Sequence, residues 1–319
     1  GRVAYEPNSL GGGCPYQAGA AQGGFTTYAE RVDAKKVRAR SESFFDHYSQ
    51  ATLFYNSQAD HEKEHIISAL SFELGKVETE SIRERMLFQL SQVDLSMAER
   101  VAGQLGMVVP TKLDGPVNQS LPADADPATL QPIKKKQSLD KSAALSMANT
   151  VKDSIKTRQI AALISDGFDE IGLAAMKAVL LAEGARVLMV APHGGEVAAS
   201  DGSTLKADHT FLTSASVLFD AILIPGGSQS IAALKNDADA VHFVNEAYRH
   251  CKAIAALAEG KELVQRSFIG RQFGAAPAHS PATAGVILED DPAQAGPAFV
   301  AAIAQHRAWE REIASKVPA

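Results

Sequence analysis

Residues Lys252–Val264, "KAIAALAEGKELV", read as a buried strand, a sharp turn and the opening of a helix. The turn carries Ala258 and Glu259. A continuous apolar strand followed by a helix belongs in a parallel sheet covered on both faces, and the same grammar extends outward from this stretch. Upstream, "QIAALI" from Gln159 is a short apolar strand, followed by the turn "SDG" and the amphipathic helix "DEIGLAAMKAVLLAEG". "RVLMVA" is a second strand, and "GGEVAASDGSTLKADHT" reads as a hairpin around Asp201-Gly202. "FDAILIPGG" is a buried strand entering a glycine turn, and a helix runs through "DAVHFVNEAYRHC". Downstream, a last strand near "AGVILED" precedes a helix at "GPAFVAAIAQHRAWEREIA". The predicted fold of residues 158–319 is a doubly wound α/β parallel sheet.

Toward the other end the grammar differs. Residues 1–40 show neither helical nor strand periodicity, and "GGGCPYQAGAAQGG" (Gly11–Gly24) contains six glycines, so an irregular arm is expected there. Residues 41–109 turn helical, with Ile66, Ala69, Leu70, Glu73, Leu74 and Val77 on one face and Ile82, Met86, Leu90 and Val93 on a second stripe. Asp60 and Ser96 are the expected N-caps and Gly106 the C-cap. This small all-α domain is short for an independent fold and is expected to pack on a partner. Residues 110–157 carry Pro110, Pro116, Pro122, Pro127, Pro132 and the triplet Lys134–Lys136, the composition of an extended, exposed linker.

The 319 residues allow about two domains at ~100–200 residues each, and 45% hydrophobic content supports real cores. No apolar run reaches the ~18–20 residues of a membrane span. A net charge of −6 spread along the chain argues against nucleic acid. The basic run of Arg31, Lys35, Lys36, Arg38 and Arg40 is interrupted by acids and reads as a solvated face or an intersubunit contact. Cys14 and Cys251 lack metal or redox spacing and read as free thiols of a reducing, cytoplasmic setting, with a disulfide between them left open. No signal peptide is visible, and the abrupt "GRVAYEPNSL" reads as part of something longer.

Three local motifs invite chemistry. "HEKEH" (His61–His65) fits H-E-x-x-H, whose histidines share a helix face and can hold zinc. It sits in a first helical turn with no third ligand in register, so no metal is expected. "PGGSQS" (Pro225–Ser230) follows a strand and precedes a helix, but lacks the second glycine of G-x-S-x-G and has no paired Asp/His. A tight turn whose N–H groups are able to bind an anion is the expected reading. His193, in "APHGGEV", reads as a surface histidine.

The motifs "LISDGFDEIGL", "DAILIPGG" and "IAALAEG" resemble the flavodoxin-like module of the class I glutamine amidotransferase superfamily, which includes cysteine peptidases and glyoxalases. In active relatives the last motif reads apolar-Ala-apolar-Cys-His-Gly. The resemblance therefore puts the nucleophile at Ala258, its neighbour at Glu259, and a required acid at Gly172. All three are replaced here, and alanine offers no nucleophilic atom.

The other half is similar to a second family. "GRVAYEPNSL", "GGFTTYAERVDAKKVRARSESFFDHYSQATLFYNSQ" and "EKEHIISALSFELGKVETESIRERMLFQLSQVDLSMAERVAGQLG" resemble the wrapping arm and α-helical domain of large-subunit haem catalases. Those enzymes carry a flavodoxin-like C-terminal domain behind a proline-rich linker, so the resemblance spans the chain in order. It implies peroxide decomposition to water and oxygen at a haem held by an upstream β-barrel, in a homotetramer. Tyr48 and Tyr55 belong after the haem tyrosine motif of that family, so no haem-binding or catalytic residue carries over. The expected role is structural, with Glu73 a candidate beside a peroxide channel. Two other readings remain: a free binding module with chaperone-like activity, and a hydrolase or glyoxalase relying on Cys251, the thiol nearest the sheet.

Overall fold

A computed structural model describes residues 19–22, 27–34, 40–121, 123–133, 138–273 and 280–314. Cys14, most of the arm, Pro122 and the Lys134–Lys136 triplet lie outside the described residues. By compactness the chain divides into Gly1–His47 with Pro116–Lys134, and Tyr48–Gly115 with Lys135–Ala319. In the first unit, Ser41 caps a 3-10 turn at Glu42–Phe45. The Ile133 N–H donates to the Phe45 carbonyl at 2.9 Å, and the Gln131 side chain holds the Asn118 backbone, its Oε1 accepting the N–H at 3.0 Å and its Nε2 donating to the carbonyl at 3.2 Å.

The second unit contains four helices followed by the sheet. The helices are α1 (Ser49–Ser57), α2 (Asp60–Gly75), α3 (Glu80–Val93) and α4 (Leu95–Gln104). Their core is Tyr55, Ile67, Leu74, Leu87, Met97, Val101 and Ala102. The buried face of α2 is rotated from the expected one. Ile67 and Ser71 are buried with Leu74, whereas Ala69 and Glu73 face out. On α3, Leu87 is fully buried while Ile82 and Met86 are exposed. Two caps also shift. Asp60 is the first residue of α2, behind Ala59, whose N–H donates to Glu62 Oε2 at 2.8 Å. Asp94, two residues before Ser96, caps α4 by accepting the Met97 N–H at 2.7 Å. Asp94 wins because its side chain reaches the third N–H of the helix while its own backbone stays extended. Gly106 closes α4 in the left-handed region (φ +68), with the Met107 N–H returning to the Ala102 carbonyl.

The segment expected to be an exposed linker is partly fastened down. Ser146 Oγ and the Met147 N–H both donate to Glu62, and Gln58 Nε2 donates to the Leu145 carbonyl. Ile155 is buried in the core of the sheet. Its polar residues thus dock through side-chain and backbone hydrogen bonds, which proline content alone does not reveal.

The sheet follows the predicted grammar. Its strands are β1 (Gln159–Leu163), β2 (Arg186–Ala191), β5 (His209–Thr210), β6 (Ala221–Ile224), β7 (Ala253–Leu257) and β8 (Val286–Glu289), all parallel in the order β5-β2-β1-β6-β7-β8. The hairpin β3 (Gly195–Ala198) and β4 (Thr204–Ala207) is antiparallel. Side chains alternate across β1. Ile160 and Ala162 join a cluster with α5 (Glu170–Ala182) and α10 (Pro292–Ala304). Ala161 and Leu163 join another with α7 (Ala238–Arg249) and α8 (Gly260–Arg266). Both faces are covered, so the strands read as continuous apolar runs. Setting the short edge strand β5 aside, the order is the doubly wound 2-1-3-4-5 arrangement, flavodoxin-like. The remaining helices are α6 (Ser228–Leu234), α9 (Phe268–Phe273) and α11 (Glu310–Ala314).

Candidate functional site

In a sheet of this order, ligands bind beyond the carboxyl ends of the strands, where the winding direction reverses. Here that place lies between β1 and β6, next to β7. Three turns meet there: Ser165-Asp166-Gly167 after β1, Pro225-Gly226-Gly227 after β6, and Ala258-Glu259 after β7. Gly227 stands at φ +110, and a Cβ there would lie 2.3 Å from the Gly167 carbonyl oxygen, so only glycine allows this approach.

Ala258 sits at φ +43, a backbone conformation unusual for any residue but glycine. A sharp strand-to-helix turn is what lifts a side chain out of the sheet in a nucleophile elbow. The side chain lifted here is a methyl group. Next to it, Glu259 reaches across to the glycine turn. Its Oε2 accepts the Gly227 N–H at 3.1 Å, and its Oε1 accepts the Ser228 hydroxyl at 3.2 Å. The Gly227 N–H, foremost, holds the carboxyl below the usual carboxylate range. The turn suited to an anion thus has one from its own chain. A Cβ on Gly226 would come within 2.8 Å of that carboxylate and 3.2 Å of the Ala258 Cβ.

Position 172 lies in the first turn of α5. A Cβ there would meet Asp169 Oδ2 at 2.3 Å and Leu257 Cδ1 at 3.7 Å. The Asp169 carboxylate occupies the space an acid at 172 would need. Ser230 is buried, its Oγ accepting the Ser165 N–H at 3.0 Å, so both serines of "PGGSQS" are spent on structure. His193 is exposed, its Nε2 3.9 Å from Asp166 Oδ2.

Cys251 lies at the other end of β7, about 20 Å from the elbow at ~3.3 Å per strand residue. It is buried, and that burial pushes its thiol up, away from the thiolate. Chemistry borrowed from Cys251 does not reach the elbow.

The H-E-x-x-H histidines face an aromatic neighbour. His61 stacks on Trp309 at 4.6 Å between centroids, His65 meets the same ring edge-on at 5.4 Å, and His65 Nε2 lies 2.5 Å from Glu312 Oε1. Glu62 is committed to the start of α2 and to the 142–149 segment. Glu64 pairs with Arg100. No group of three His, Cys, Asp or Glu suited to a metal occurs among the described residues. Glu73 is exposed and pairs with Lys76 at 3.2 Å.

The two tyrosines that the resemblance sets after the haem motif both lie in the helical region. The Tyr48 hydroxyl donates to Gln89, and Tyr55 is buried beneath Lys63, whose Nζ lies 5.3 Å from the ring centroid. No helix among the described residues is long and apolar enough to cross a membrane.

Residues 41–105 match the family described as catalase-related immune-responsive, and residues 156–313 match the C-terminal domain found in long catalases. Among curated relatives, Catalase HPII of Pseudomonas aeruginosa is 38% identical over 100% of this chain and 41% of its own length. Catalase HPII of Pseudomonas putida is 40% identical over 100% of the chain and 41% of its length. Catalase-2 of Bacillus subtilis is 38% identical over 98% of the chain and 41% of its length. The chain spans about two fifths of the length of these relatives. With both matches in order and the flavodoxin-like sheet in place behind the helices, the chain belongs to the long catalases, as the portion that ends in their C-terminal domain.

Proposed function

We propose that this chain is the bracing portion of a haem catalase, which decomposes hydrogen peroxide to water and oxygen at a haem held by residues outside it. In this reading the segments are an arm (1–40), a helical domain (41–109), a linker (110–157) and a flavodoxin-like domain (158–319). The first two wrap the haem barrel and neighbouring subunits of a homotetramer in the cytoplasm. The flavodoxin-like domain stabilises the assembly and shapes peroxide access. Ala258 and Glu259 are a degenerate elbow and Gly172 the site of a lost acid. Glu73 stands beside a peroxide channel, where its charge would orient a polar substrate.

The observation that carries the structural role is the elbow: a strained backbone around Ala258, with Glu259 seated where an anionic intermediate would be stabilised. The match along the entire chain carries the link to peroxide. The absorption spectrum of the purified chain tests the reading. No haem Soret band and no peroxide consumption are expected. A haem band with peroxide turnover by the isolated chain would overturn it.

A second reading has one observation of its own. Phe54, Phe72, Ile82, Met86 and Leu95 are exposed on the helices, and apolar surface of this kind binds other proteins. As a free module the chain would then act as a chaperone-like holdase. Suppressed aggregation of an unrelated, heat-stressed enzyme at equimolar ratio supports this; no suppression removes it.

A further inference from the structure

On the face of the sheet that carries α7, an open cleft of 590 Å³ lies between that helix and the corner where α8 meets α9. Lys235, His242, Asn245, Arg266, Phe268 and Arg271 line it. It is separate from the elbow: α8 begins at the elbow with Gly260 and ends at the cleft with Arg266, about 10 Å away at 1.5 Å per residue.

The cleft collects several donors, not all of them committed by the fold. Lys235 is held by Glu262 at 2.5 Å. Arg266 has no hydrogen-bond or ion-pair partner among the described residues, and the Arg271 guanidinium stands 5.1 Å from the Phe268 ring centroid. The acid at the rim, Asp237, spends its Oδ1 on the Asp239 and Ala240 N–H groups at the start of α7. Asn245 is only 7% exposed. The Phe268 N–H requires an acceptor, so the Asn245 amide oxygen faces it at 2.9 Å. Its Nδ2 donors have no partner among the described residues, and Asn245 lines the cleft. That Nδ2 opens onto the cleft, where an acceptor on a ligand can meet it. Phe268, 38% exposed, adds an aromatic surface beside it.

We propose that this cleft binds a phosphate-bearing small molecule with a planar ring, of the nucleoside monophosphate class. Arg266, Arg271 and Asn245 Nδ2 hold the phosphate, and Phe268 carries the ring. Forked guanidinium groups suit a phosphate dianion, and the volume falls within the ~300–1,000 Å³ of small-molecule sites. The site is independent of the peroxide reading, because none of its residues touches the elbow turns described above.

Isothermal titration of the 319-residue chain with adenosine monophosphate, in phosphate-free buffer, tests this. Saturable binding is expected, weaker for inorganic phosphate and weaker again for adenosine. Arg266→Gln with Arg271→Gln should lower affinity at least about tenfold. Asn245→Asp keeps the acceptor for Phe268 and turns the donor into a negative charge, so it should weaken binding while the melting temperature confirms the fold. Absence of saturable binding, undiminished affinity in the arginine double variant, or adenosine binding as tightly as the monophosphate overturns the proposal.

Discussion

Leu163 and Leu87 are both fully buried, but in cores of different depth. Leu163 stands in a central strand, with neighbouring strands on both sides and α7 and α8 above it, and the other sheet face is covered by α5 and α10. Leu87 stands in a small core shared by α1 to α4, whose outward positions include the apolar side chains of Ile82, Met86 and Phe72. The sheet region completes its own core. The helical region leaves part of its apolar surface exposed. A bracing role needs both properties, one body that keeps its shape and one surface that adheres.

The strongest attempt to break this contrast is a pair of core deletions. Phe299→Ala, beneath the sheet on α10, should cost about 3–5 kcal/mol in the unfolding of the sheet region. Leu87→Ala should cost about 2–3 kcal/mol, at the low end for its type, because the smaller cluster can relax into the space. Denaturant titration of both variants checks this. Hydrogen exchange adds a direct reading: amides of α3 and α4 should exchange faster than those of β1, β6 and β7. Equal protection of the two regions contradicts the contrast.

A buried charge sharpens it. Lys252 is 1% exposed, and its Nζ donates to the Ser216 carbonyl; burial, foremost, lowers its pKa to about 8. The folded form then binds fewer protons than the unfolded chain between pH 8 and 10.5. Stability should therefore rise with pH across that window and level off at its lower value below about 8, where both forms carry the proton. The difference between the wild type and Lys252→Met should change by about 3 kcal/mol over it. A difference that does not vary with pH would show that Lys252 is better solvated than its burial just before β7 implies.

The smallest effect probes the elbow. Glu259→Gln keeps an acceptor for the Gly227 N–H but loses the charge, and should cost about 1 kcal/mol. The contribution of the carboxylate should be present above the ordinary carboxylate pKa and lost as pH falls through its depressed value. Urea midpoints at neutral and acidic pH measure both. A stabilised Gln variant would mean that the glycine turn is not where this carboxylate rests.

The two regions were also unequally readable. The strands announced themselves as apolar runs bounded by turns, and "RVLMVA" coincides with β2 from Arg186 to Ala191. The face of α2 did not, because apolar residues surround that helix. Phe72 is 64% exposed while Ile67 is buried. Two candidate caps two residues apart, Asp94 and Ser96, were separable only once the Met97 N–H had a direction. Ala258 was readable from one line of sequence as standing where the amidotransferase-like resemblance puts a nucleophile. Glu259 as its plug was not, because Ser228 and Gly227 lie more than thirty residues upstream and only the sheet brings them together. Arg266 and Arg271 carried no motif, and their convergence with Asn245 is a product of helix packing alone.

In the proposed reading this chain braces a haem enzyme and holds none of its chemistry. A chimera tests it most directly: a long catalase in which the region matched by this chain is exchanged for it, compared with the same catalase lacking that region. The account predicts that the chimera carries haem and decomposes peroxide, that the truncated enzyme does so poorly or not at all, and that Glu259→Gln in the chimera leaves turnover unchanged. A chimera without haem or turnover, or turnover that depends on Glu259, would contradict it.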